Sequence, residues 1–167
     1  MRSKLTLLLV LATVAVFPLG ARAATAAENE ARLSELDKFW TQISRAVSKG
    51  DFEAYRATCH TDGVLVSGSS KKSVPLAKAL AGWKQGFADT KAGTIQAGVQ
   101  FKFTQRWGDA TTAHETGIFR YFTAKAGGQP KEEFVHFEVL LVKKGTWQTL
   151  MEFQKSTASK AEWDAIP

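Results

Sequence analysis

Residues 95–104, Ile95-Gln96-Ala97-Gly98-Val99-Gln100-Phe101-Lys102-Phe103-Thr104, carry an apolar side chain at every odd position and a polar or minimal one at every even position. A period of two marks a strand with one face buried and the other wet. Three more strand-like runs follow, at 111–123, 132–143 and 147–156, separated by Gly108-Asp109, Gly127-Gly128 and Lys144-Gly145. Connections this short join antiparallel neighbours. The second half of the chain therefore reads as a four-strand meander.

Upstream the period changes. Leu33, Leu36, Trp40, Ile43 and Val47 recur at helical spacing, with Phe39 and Ala46 beside them, until Gly50 ends the stripe. Asp51 is placed to cap a second, shorter helix carrying Phe52, Tyr55 and Cys59. His60-Thr61-Asp62-Gly63 reads as a turn into a short strand, Val64-Leu65-Val66-Ser67. Ser73 is placed to cap a third helix with Pro75 in its first turn and Leu76, Leu80, Trp83 and Phe87 on one face. A last short helix is expected at Lys160–Ala165. Helices segregated before an antiparallel sheet define an α+β fold. The twisted sheet has to curl around three N-terminal helices to bury both apolar faces, and such a curl leaves a pocket.

The first residues have another character. Met1-Arg2-Ser3-Lys4 precedes an apolar run, Leu5 to Val16, then Pro18, Gly20 and the small-x-small triplet Ala21-Arg22-Ala23. That is the layout of a cleaved secretory signal over residues 1–23, with one domain over 24–167 and a periplasmic or secreted location. No cysteine follows the run, so lipoprotein anchoring is not expected, and neither is membrane association after cleavage. Losing Arg2, Lys4 and Arg22 lowers the formal net charge from +6 to +3. The basic residues are also scattered, which argues against a nucleic-acid partner. A single cysteine rules out an intrachain disulfide and any cysteine-cluster metal site.

The order of these elements resembles the nuclear transport factor 2-like superfamily in its SnoaL-like, ketosteroid isomerase-like bacterial branch. The resemblance rests on Lys49-Gly50-Asp51-Phe52-Glu53-Ala54-Tyr55, on His60 through Gly68, on a third helix with Trp83 and Phe87, and on Leu141-Val142-Lys143-Lys144-Gly145-Thr146-Trp147. It spans residues 28–156 and implies a cone-shaped α+β barrel with an internal cavity, often dimeric through the outer sheet face. Steroid isomerases of the superfamily use a helix-one tyrosine, a base at the end of the first strand and a sheet acid. Those positions correspond here to Ile43, Ser67 and a residue near Glu138, so that mechanism is not expected.

Other chemistry depends on strand register. Glu115, His136 and Glu138 are the candidate acid/base groups, on the second and third long strands. If paired positions sum to 255, Glu115 shares a face with His136 and Glu138; if they sum to 256, Arg120 comes opposite His136, as in an anion site. Against both stands the wholly apolar series Val135, Phe137, Val139 and Leu141, which would turn His136 and Glu138 outward. Trp40, Tyr55, Trp83, His114, Arg120, Trp147 and Met151 are the candidate ligand contacts, and their rings suit a small hydrophobic or aromatic molecule. Cys59 reads as a buried small hydrophobe and Asp62 as a turn residue. His60, His114 and His136 lack metal-site spacing; neither metal nor cofactor is expected. Three functions remain open: an exported small-molecule-binding domain, a metal-free cyclase, isomerase or hydratase using a Glu/His pair, or a homodimerisation module.

Overall fold

The computed structural model describes residues 25–125 and 127–167; the expected signal segment lies outside them. Helix α1 (Ala26–Lys49) starts at a capping box in which Thr25 and Glu28 satisfy each other's backbone N–H groups. It ends at Gly50, whose φ of 64° only glycine adopts without strain. Glycine is needed there twice over, because a Cβ at position 50 would lie 2.4 Å from Lys91 N and Phe87 O. This close approach seats the end of α1 against α3 (Leu76–Lys91). The short α2 (Phe52–Arg56) is capped by Asp51, whose carboxylate accepts from Ala54 N at 3.0 Å.

The strands are β1 (Cys59–Ser67), β2 (Lys72–Pro75), β3 (Ile95–Gly108), β4 (Thr112–Lys125), β5 (Lys131–Lys144) and β6 (Thr146–Thr157). They form one sheet in the order β2-β1-β6-β5-β4-β3, curled and unclosed. The expected α+β architecture with its meander is present, and the sheet is larger and mixed. β1 runs parallel to β6, and β2 pairs antiparallel with β1. Cys59 starts β1 instead of extending α2, and His60–Gly63 form an irregular part of that strand. Ser73 does not cap α3. It lies in β2, and Pro75 takes the N-cap position, because a residue preceding proline favours extended backbone and Val74 already pairs with Leu65.

The core lies between α1 and the concave face of the sheet. Leu36, Phe39, Trp40 and Ile43 pack on Ala113, Phe137, Val139, Leu141 and Trp147. The 6-residue α4 (Lys160–Ala165) folds onto the opposite, convex face, where Trp163 and Ile166 cover Ile118 and lean on Phe134.

Two β-bulges decide what the concave face presents. In β3, Phe103 pairs with Gly117 but Gln105 pairs with Thr116, leaving Thr104 as the extra residue. Alternation is reversed beyond it: Arg106 turns inward opposite Glu115, and Trp107 turns out to become 59% exposed. In β6, Thr149 pairs with Leu141 but Met151 pairs with Leu140, leaving Leu150 extra. Glu152 and Gln154 consequently join Val139 and Phe137 on the concave side, while Met151 and Phe153 face out.

Candidate functional site

Between α1, α2, α3 and the concave face lies a pocket of about 440 Å³. Trp40, Ile43 and Val47 line it from α1, Tyr55 from α2, Trp83 and Phe87 from α3, and Val99, Phe101, Phe119 and Phe137 from the sheet. The rings pack on one another: Tyr55 stands T-shaped to Trp83 at 6.0 Å, and Trp40 lies tilted against Phe101 with 4.4 Å between centroids. Gly82 and Gly86 on α3 also border the space, and a Cβ at either would meet nothing within 4 Å.

The polar groups are few. Glu152 and Gln154 enter from β6, and Gln154 Nε2 donates to Glu152 Oε1 at 2.7 Å. Glu152 keeps some accessible surface although it lies deep among protein atoms, because that surface opens on the pocket. Burial pushes its carboxyl above the ordinary carboxylate range, against the opposing effect of the Gln154 bond. Burial, with the charge of Glu152 next, likewise holds the Tyr55 phenol well above its usual value. The Cys59 thiol is pushed up to about 11, chiefly by burial. Tyr121 and Glu133, a cross-strand pair of β4 and β5, add a second phenol and carboxylate; burial and then Glu133 raise the Tyr121 phenol.

The remaining sequence-predicted groups lie elsewhere. Paired positions of β4 and β5 sum to 254, not 255 or 256, so Glu115 faces Val139 and His136 faces Ile118. Glu115 is fully buried in the concave wall, but it belongs to a clamp beside the pocket. Its carboxylate accepts from Trp40 Nε1 and Arg106 Nε, each at 2.5 Å, and Arg106 Nη1 continues to Asp37 Oδ1 at 2.6 Å. His136 and Glu138 sit on the convex face. His136 Nε2 is 3.1 Å from Glu162 Oε1 of α4, and Glu138 accepts from Lys155 Nζ at 2.7 Å. His114 is beside Trp107 on that face, 4.0 Å from Glu138. Arg120 spans Gln100 and Glu132 there, so no anion site opens inward at His136. Trp147 packs in the core with its Nε1 donating to Glu35 Oε2 at 2.9 Å, away from the pocket lining. Met151 faces out, for the reason of the Leu150 bulge. Trp40, Tyr55 and Trp83 are the predicted contacts that the fold brings together around the pocket.

Glu152 and Gln154 escaped the sequence reading. Regular alternation from Trp147 and Thr149 carries Met151 and Phe153 inward and both polar residues outward. The one trace of the bulge is Leu150, an apolar residue in the otherwise polar series Gln148, Glu152 and Gln154.

No protein-family model and no curated protein matches the sequence. Solved structures do. An NTF-2-like protein of unknown function from Shewanella oneidensis MR-1 is 15% identical, with a TM-score of 0.56 over 73% of this chain and 97% of that one. ActVI-ORFA from Streptomyces coelicolor is 19% identical, with a TM-score of 0.57 over 74% of this chain and 95% of that one. The chain has the nuclear transport factor 2-like fold. A ketosteroid isomerase-like protein from Erwinia carotovora atroseptica SCRI1043 shares it at 19% identity and a TM-score of 0.50, over 77% and 97% of the two chains. Within this NTF2-like frame the residues aligned in sequence with steroid-isomerase chemistry do not meet. Ile43 lines the pocket without a hydroxyl, the Ser67 hydroxyl contacts Ser69 Oγ at 3.2 Å, and Glu138 is outside. The deep acid of the pocket is Glu152, one strand over from Glu138.

Proposed function

We propose that this protein is an exported small-molecule-binding domain, and that its ligand is flat, largely apolar and carries one polar group. The observation that carries the reading is the composition of the pocket wall, a cage of rings interrupted at depth by the Glu152–Gln154 pair. Ring walls reward planar apolar area, and a few placed polar groups fix orientation. The volume falls within the usual range for ligand sites. Export to the periplasm or beyond is the companion proposal, drawn from the signal-like residues 1–23.

The test uses 2-naphthylmethanol, a neutral bicyclic probe, followed by tryptophan fluorescence and thermal unfolding. At about a hundred times its dissociation constant the probe should stabilise the fold by about 2.7 kcal/mol. Trp83→Ala should abolish the effect, since it removes a wall of the pocket. Equal stabilisation of the wild type and Trp83→Ala would place binding elsewhere and overturn the reading.

A second reading is favoured by Glu152 alone. A carboxyl pushed upward by burial beside a phenol is suited to general acid chemistry on a bound ligand. The Glu/His version of that chemistry has no support among the described residues, because no histidine lines the pocket.

A further inference from the structure

The titratable groups that line the pocket are Tyr55, Cys59, Tyr121, Glu133 and Glu152. Every one of them is an acid. Among the described lining residues there is no lysine, arginine or histidine, although the chain has 22 lysines and arginines. Four cations of the long strands are engaged elsewhere: Arg106 in the Glu115–Asp37 clamp, Lys143 on Glu35, Arg120 on Glu132 and Lys155 on Glu138. The aromatic faces add the negative side of their quadrupoles to the same space. Glu152 presents one oxygen to Gln154, and among the described residues its Oε2 has no hydrogen-bond partner. A deep carboxylate with a free oxygen, inside a ring-walled space that contains no positive charge, lacks one thing: a counter-ion.

Building on the small-molecule reading, we propose that the ligand class is a planar organic cation, a protonated aromatic amine, with its ammonium on Glu152 Oε2 and its rings against Trp40, Tyr55 and Trp83. The ammonium restores to Glu152 the charge stabilisation that leaving water took away, and the rings contribute cation–π attraction. A carboxylate ligand would meet two carboxylates and no cation. Around Glu152, Tyr55 of α2 and Cys59 of β1 are the facing groups that titrate, both at high pH; α1, α3 and β3 contribute no titratable residue to the lining, and Tyr121 and Glu133 border the pocket from β4 and β5.

The experiment compares 2-naphthylmethylamine, 2-naphthylmethanol and 2-naphthoate by titration calorimetry on the purified protein and on Glu152→Gln, which keeps the shape and removes the charge. Near neutral pH the amine should bind about tenfold or more tighter than the alcohol, as expected for a charge-assisted bond, with naphthoate weakest. In Glu152→Gln the amine should lose that advantage over the alcohol, and far-UV circular dichroism reports that the variant is folded. Amine affinity should fall as the pH is lowered, because the ammonium must then displace the Glu152 proton. An amine no tighter than the alcohol, or an amine preference that survives in Glu152→Gln, overturns the proposal. An alcohol that binds best and weakens as pH rises identifies Glu152 as a donor to a neutral acceptor, overturning the cation while leaving the pocket reading intact. Failure of all three probes to bind overturns both.

Discussion

Glu115→Gln tests how the helical layer is fastened to the sheet. Glu115 has no exposed surface, and its two oxygens serve two donors, Trp40 Nε1 from α1 and Arg106 Nε from β3, at 2.5 Å each. Glutamine has the same shape but only one oxygen, so one donor must face an NH2 group. The variant loses a charge-assisted bond worth about 1.5–3 kcal/mol and leaves a buried donor unpaired at about 1–3 kcal/mol. Arg106 keeps Asp37 and is 20% exposed, which places the sum toward the lower end. The expected loss is about 3 kcal/mol, or about 6–12 °C in Tm for a chain of this size. Urea unfolding followed by tryptophan fluorescence and far-UV circular dichroism measures it. In a double-mutant cycle with Arg106→Met, the double variant should lose less than the two singles together, because each single variant strands the other's partner. A loss below about 0.5 kcal/mol for Glu115→Gln, or additive singles, would refute the clamp as the fastening.

Glu152→Gln should alter the pH dependence of stability in a defined direction. Burial raises the folded-state pKa of Glu152 above its unfolded value, so its contribution is fully present at acid pH and declines as pH rises from the unfolded value through the raised one. The Tm of the variant relative to wild type should therefore climb over that interval and then level off; a difference that shrinks with rising pH would contradict burial as the cause. Gly50→Ala should cost at least about 2 kcal/mol in chemical denaturation, since a left-handed alanine costs about 1–2 kcal/mol and its Cβ meets α3 backbone at 2.4 Å. A near-neutral result would mean that α1 and α3 can separate at that end.

Where periodicity was local, the sequence was a good guide. The α1 stripe, its stop at Gly50, the Asp51 cap and the four long strands all follow from patterns within one element. The pairing of β1 with β6 spans about ninety positions of chain and leaves no local trace, and the edge strand β2 is short enough for its residues to pass as a helix cap. The convex face misleads for a different reason. Ile118 and Phe134 are apolar there because α4 covers them with Trp163 and Ile166, so the β4 and β5 patterns report two buried surfaces at once.

The candidate site was harder still, and the cause is parity. A bulge adds one residue and exchanges the faces of everything beyond it. The Thr104 bulge brings Arg106 to Glu115, and the Leu150 bulge brings Glu152 and Gln154 to the pocket. Without the first, Gln105 and Trp107 would face α1 and Glu115 would be a buried charge without its cation. Without the second, Met151 and Phe153 would stand on the concave side in place of Glu152 and Gln154. Both of these polar centres therefore lie just past an irregularity, where an alternation rule assigns the opposite side. Gly117 shows how tightly the first is built: a Cβ there would lie 2.0 Å from Lys102 O, so the strand carrying Glu115 can approach β3 at the bend only as glycine. Bulges cost ladder hydrogen bonds, and these two return polar chemistry to a face that plain alternation would have made a solid core.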